Sequence, residues 1–191
     1  MKENKVKKNG GQKKLVTLIE VAIMAAIAVV LHKLMIPFHL WPNGGSVTFS
    51  MIPIAAVALR RGAKAGVICG GITGLLLWML GGHVIHPVQA LLDYPIAFGA
   101  LGVVGWIRLA ESAKKPFLFL ALGLFLSGGL RLLAHFFSGV IFFKEFTPVG
   151  QSVYLYSLVY NLSYILPEVI LTFLIMTGIC RSAPQLLRRQ A

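Results

Sequence analysis

Apolar residues in this chain come in long blocks, not in alternation. Six can be drawn: Leu15–Ile36, Val47–Leu59, Ala63–Leu80, Val88–Ile107, Phe117–Phe143 and Tyr154–Ile179. A hydrocarbon layer about 30 Å thick takes about 20 apolar residues as a helix, and a lipid-exposed backbone must satisfy its own hydrogen bonds. The pattern therefore predicts an all-α integral membrane bundle of six transmembrane helices. The second block has 13 residues, about 20 Å at 1.5 Å rise per residue. It must start in the interface or be extended by Gly44-Gly45-Ser46. No repeat divides the chain, so residues 15–180 form one membrane domain between basic tails at 1–14 and 181–191.

Composition narrows the class. Hydrophobic residues make up 57% and charged residues 13%, against about 25% charged in an ordinary soluble domain. A soluble enzyme and a disordered regulator are excluded on that ground. The net charge of +12 would point to nucleic acid in a soluble chain, but the charges cluster beside apolar blocks. Lys2, Lys5, Lys7, Lys8, Lys13 and Lys14 precede the first; Arg60, Arg61 and Lys64, then Arg108, Lys114 and Lys115, then Arg181, Arg188 and Arg189 follow later ones. Basic loops stay on the cytoplasmic side. This places both termini inside, leaves Pro37–Ser46, Gly81–Pro87 and Lys144–Val153 outside, and makes lipid, with no nucleic acid, the partner of this surface. Cys69 and Cys180 lie within apolar blocks and suggest no disulfide framework.

Charges at membrane depth are costly and need a partner or a task. Asp93 shares a helix face with Gln89 and stands two residues before Pro95, which removes a backbone donor and strains the preceding turn. It reads either as one half of a structural ion pair or as an anionic site for a cationic ligand. Arg131, His135, Gly139 and Phe143 recur every four residues and so form one stripe: an aromatic at the mouth, a bare backbone and an imidazole make a slot for a flat heterocycle, unless His135 is only a satisfied interior histidine. Ser157, Asn161, Tyr164 and Glu168 form a second stripe. Tyr154, Tyr156 and Tyr160 crowd its outer start, where aromatic belts are common. Asn161, with donors and an acceptor, suits a base-like ring edge. Arg131 and Glu168 come out at similar depths, about 18 and 21 Å below their outer ends. They are expected to pair, leaving Asp93 free. His39 and Trp41 in the first loop suggest a lid, and Ala22 and Ala26 on the first helix suit close helix packing or another membrane subunit.

Several chemistries are missing. The chain carries no G-x-x-x-x-G-K-[ST] loop and so no ATPase site of its own. Gly44-Gly45-Ser46 fails the nucleophile-elbow pattern because Thr48 occupies its last position. His83-x-x-His86 has metal-ligand spacing but precedes Pro87, with no third ligand near in sequence. No metal and no cofactor are expected.

Gly-Gly-Ser-Val (44–47) with Met-Ile-Pro (51–53), Leu-Arg-Arg-Gly-x-Lys-Ala-Gly (59–66), His-Pro-Val-Gln-Ala-Leu-Leu-Asp-Tyr (86–94), His-Phe-Phe-Ser-Gly-Val-Ile-Phe-Phe (135–143) and Tyr-Ser-Leu-Val-Tyr-Asn (156–161) occur in this order. The set resembles the thiamine-specific substrate-binding subunits of energy-coupling-factor transporters, from about Leu15 to Ile179. The resemblance implies a six-helix protein of a prokaryotic plasma membrane that binds thiamine near the outer face. Its partners would be a transmembrane coupling subunit and two ABC-type ATPases. It makes Asp93 the ligand-contacting carboxylate with Tyr94 beside it, and makes His135, Gly139, Tyr156 and Asn161 pocket positions. Phe143 stands where some members have a stacking Trp, Trp41 corresponds to a loop Trp, and Ala22-x-x-x-Ala26 resembles the motif that docks on the coupling subunit. Thr48-Phe49-Ser50 stands where some members carry a second Glu. The rival readings are another vitamin or a hydroxymethylpyrimidine precursor in the same architecture, or a small intramembrane enzyme with Asp93 and His135 as acid and base.

Overall fold

The computed structural model describes residues 2–34, 41–42, 44–107 and 115–187, the side chains of residues 2–10 excepted. His39, Arg108, Lys114, Arg188 and Arg189 lie outside the described residues. Among those described, six helical rods follow one another: α1 (Lys2–Lys33), α2 (Met51–Arg61), α3 (Ala63–Met79), α4 (Pro87–Trp106), α5 (Pro116–Phe142) and α6 (Val153–Ser182). Four stretches, Gly11–Lys33, Pro87–Trp106, Pro116–Phe142 and Val153–Ser182, are long and apolar enough to cross a bilayer. α3 is apolar but shorter, at 17 residues.

Three elements differ from the sequence expectation. α1 begins at Lys2, 13 residues ahead of the apolar block that starts at Leu15. α2 starts at Met51, not Val47, because Thr48 and Ser50 turn their hydroxyls inward onto Glu168 of α6. α4 is not a uniform helix. It opens as an α-helical turn (Pro87–Leu91), widens into a π turn (Leu92–Ile96), returns to α-helix (Ala97–Ala100) and closes as a 3-10 helix (Leu101–Trp106). Pro95 lies inside the π turn; its missing N–H and its ring disfavour a regular turn there, and a π turn is the usual local remedy. The widened turn brings Gln89, Asp93 and Phe98 to one side, spaced by four and then five residues, and all three line the same cavity.

Lipid contact explains the outward surface. Leu15, Leu18, Ile19, Ile23 and Ile27 of α1 and Leu122, Leu126, Leu133, Phe137 and Ile141 of α5 are exposed, a distribution that only an apolar solvent accepts. Inside, Val21, Ala25 and Ala28 of α1 pack with Met51, Ile54, Val57 and Leu101. At the end of the bundle where α2 turns into α3, Gly62 (φ 92°) permits a one-residue reversal. Glu20 forms ion pairs there with Arg60 and Arg61, both at 2.7 Å, and Arg60 also donates to the Leu186 carbonyl at 3.0 Å.

The α3–α4 contact is backbone on backbone. A Cβ at Gly70 would collide with the Phe98 carbonyl and one at Gly74 with the Tyr94 carbonyl, whereas Gly71 has no atom within 4 Å of such a Cβ. Gly70→Ala should therefore cost about 1–3 kcal/mol through overpacking. Gly71→Ala should stabilise by about 0.5–1 kcal/mol through helix propensity. Thermal unfolding of the two detergent-solubilised variants checks this, and equal melting temperatures would remove the close-contact account.

Candidate functional site

The cavity lies between α4, α5 and α6 and encloses about 860 Å³, counting space open to solvent. Its walls include Asp93, Tyr94 and Phe98 from α4, Arg131, His135 and Gly139 from α5, and Tyr156, Tyr160 and Asn161 from α6. Seven of the eight ligand-binding positions read from the sequence are brought together here: Asp93, Tyr94, His135, Gly139, Phe143, Tyr156 and Asn161.

Asp93 is not free, contrary to the sequence expectation. Its Oδ2 accepts from Gln89 Nε2 at 2.7 Å and from Ser138 Oγ at 2.8 Å, and its Oδ1 lies 2.9 Å from His135 Nδ1. The π turn carries the carboxylate toward α5, where Ser138 stands one turn beyond His135. These three bonds fix the orientation of the carboxylate. They leave unused acceptor capacity, since an ionised carboxylate has about four lone-pair sites.

Behind it, Arg131 Nη1 donates to Glu168 Oε2 at 2.8 Å, with the two side chains 4% and 0% exposed. Glu168 Oε1 also accepts from Thr48 Oγ1 at 2.9 Å and Ser50 Oγ at 3.3 Å. A buried pair needs such additional bonds to offset its desolvation. The guanidinium also sits 4.7 Å above the Phe98 ring.

Rings form the rest of the enclosure. Tyr164 stands edge-on to His135 at 5.9 Å, Tyr160 neighbours both Tyr156 and Tyr164, and the Tyr160 hydroxyl donates to the Gly44 carbonyl at 2.8 Å. Phe143 is tilted against His83 at 6.0 Å at the rim. Aromatic faces attract a cation within about 6 Å, so the wall chemistry and the carboxylate agree in sign.

Of these eight positions Trp41 sits apart, and Asn161 and Gly139 line the cavity while also serving their neighbours. Trp41 lies outside the lining; its indole is edge-on to Tyr164 at 5.8 Å and donates to Ser163 Oγ at 2.8 Å. Asn161 lines the cavity, but its Nδ2 donates to the Ser157 carbonyl at 2.8 Å and its Oδ1 accepts from the Tyr164 hydroxyl. Its amide thus braces α6 as well as facing the space. Gly139 is required by its neighbour as much as by the cavity, since a Cβ there would collide with Ser157 Oγ.

Ala22 and Ala26 are exposed on α1, on the side away from buried Val21, Ala25 and Ala28. His86 stacks on Phe142 at 4.9 Å, and its Nδ1 accepts from the Val88 amide. Among the described residues no group of three His, Cys, Asp or Glu is placed to hold a metal.

The sequence reading missed His32, Ser138 and Tyr160 as lining residues. Ser138 was recoverable, because it continues the Arg131–His135 stripe at the i+7 and i+3 positions. His32 gave no signal, being a lone histidine at a helix end.

A family model described as Thiamine transporter protein (Thia_YuaJ) matches residues 18–188. Thiamine transporter ThiT of Bacillus subtilis (strain 168) is 41% identical over 184 residues, covering 92% of this chain and 96% of that protein. Thiamine transporter ThiT of Lacticaseibacillus paracasei is 33% identical over 186 residues, covering 91% of each. A solved structure of ThiT from Listeria monocytogenes superposes with a TM-score of 0.82 at 29% identity, over 92% of this chain and 99% of that one. The S component of a bacterial ECF transporter superposes with a TM-score of 0.62 at 15% identity, a likeness of fold alone.

Proposed function

The chain belongs to the thiamine transporter protein (Thia_YuaJ) family, and we propose that it is the thiamine-capture subunit of an energy-coupling-factor importer. As a family member it is a multi-pass protein of the cell membrane and a transporter, not an enzyme. In this reading all six rods belong to the membrane domain, both termini are cytoplasmic and the cavity opens outward. A coupling subunit docked through Ala22 and Ala26, with two ABC-type ATPases, drives release inside.

One observation carries the reading: a ring-lined cavity whose wall carboxylate, Asp93, is held by Gln89, Ser138 and His135 while the nearby Arg131 is already paired with Glu168. Such a site suits one cation with a flat ring. Asp93 offsets the thiazolium charge or accepts from the pyrimidine amine. Tyr94, Tyr156, Asn161 and His135 fix the rings over the bare backbone of Gly139, and Phe143 covers them at the mouth. Trp41 acts through Tyr164, against which it packs.

Calorimetry of the purified protein tests this. The expected result is one thiamine bound per chain, without turnover and much more tightly than hydroxymethylpyrimidine. Tighter binding of the pyrimidine alone assigns the site to the precursor, and chemical conversion of the ligand overturns the transporter reading.

A further inference from the structure

The bond between His135 and Asp93 has two electrostatic meanings. An imidazolium there would cancel the carboxylate; a neutral imidazole would leave it charged. Arg131 decides between them. Its Nη1 is committed to Glu168 at 2.8 Å, and its Nε–H points at His135 Nε2 at 3.4 Å. A guanidinium has donors only, so His135 Nε2 must be the acceptor and carry no proton. The remaining proton is then on Nδ1, from which it is donated to Asp93 Oδ1 at 2.9 Å. Which nitrogen of a histidine is protonated follows from the bond made at the other.

We propose that Arg131 is a positioning residue that holds His135 as the neutral Nδ1–H tautomer, so that Asp93 meets the ligand as an uncompensated carboxylate and the site selects one net positive charge. The inference rests on the thiamine-capture reading and deepens it. Around the imidazole stand Asp93 on α4, Arg131 one turn away on α5 and Tyr164 on α6, with Glu168 behind Arg131. Arg131 brings no net charge to this group because Glu168 cancels it. It acts by occupying a lone pair. Specificity thus depends on a residue two hydrogen bonds removed from the carboxylate and three contacts from the ligand: guanidinium to imidazole, imidazole to carboxylate, carboxylate to ligand.

The test uses the full-length protein in detergent with histidine labelled at both ring nitrogens, the His135 signals being assigned by their loss in His135→Gln. In the ligand-free wild type, Nδ1 should give a protonated and Nε2 an unprotonated nitrogen signal at pH 7. Two protonated nitrogens, or the opposite tautomer, overturn the proposal. The second arm is the double variant Arg131→Met with Glu168→Met, which removes the donor without leaving an unpaired buried charge and is expected to fold. Its His135 should lose the single-tautomer signature. Its preference for thiamine over an uncharged isostere, with carbon replacing the quaternary nitrogen, should fall about tenfold relative to wild type. An unchanged preference overturns the proposal. The wild-type spectrum decides the matter by itself if the double variant does not fold. Failure of wild type to bind thiamine would instead sink the functional reading, which the spectrum does not touch.

Discussion

Asp93→Asn should weaken thiamine binding by about 30- to 1,000-fold. The range follows from about 2–4 kcal/mol for a unit charge pair some 4 Å apart at an effective dielectric near 20, less the cation–aromatic attraction that survives. The lost charge is not the only cost. Asp93 accepts from three side chains at once, Gln89, Ser138 and His135. An amide offers one acceptor oxygen and brings two hydrogens among those donors. Calorimetric titration of the variant with thiamine and with its neutral pyrimidine half separates the two contributions. The charge deficit falls on thiamine alone, whereas disturbed geometry weakens both. An affinity within threefold of wild type would deny the carboxylate its role.

Replacing Ala22 and Ala26 together by Trp should reduce thiamine uptake by cells about tenfold or more, with binding to the purified protein unchanged. Both positions are exposed on α1 while Val21, Ala25 and Ala28 face the bundle. The added bulk therefore meets lipid or a docked subunit and does not enter this chain's core. Close helix approach in lipid depends on small residues at the contact, so two indoles would hold a partner helix off. Uptake assays and co-purification with the coupling subunit measure one side, titration of the isolated protein the other. Loss of binding in the variant would show that the two alanines serve internal packing instead.

The division between what the sequence disclosed and what it withheld has physical causes. A membrane helix must satisfy its backbone within itself over an uninterrupted apolar stretch, so the rods, the polar start of α1 apart, could be drawn from hydropathy to within a few residues. α2 departs because Val47-Thr48-Phe49-Ser50 has the polarity of a helix start, whereas its two hydroxyls are drawn to Glu168, more than a hundred residues away. The depth argument could bring Arg131 and Glu168 to one level. It could not show that Arg131 also touches His135, because that depends on side-chain direction. Asp93 was expected to be free for a related reason. Ser138 lies on another helix, and the turn that carries the carboxylate toward it is irregular. Trp41 was the least legible position, since the path of a loop has no periodicity.

That irregular turn has a consequence for how the chain tolerates change. In a regular helix each residue advances about 100° around the axis, so a segment serving two masters must keep one angular phase for both. The widened turn of α4 resets the phase: Gln89 before it and Phe98 after it both keep their bearing on the cavity, while Leu101 and Val104 farther on keep theirs on the neighbouring rods. Deleting one residue there would make the helix straighter and rotate one half away from its task, so the count of residues at this point is constrained as tightly as their identities.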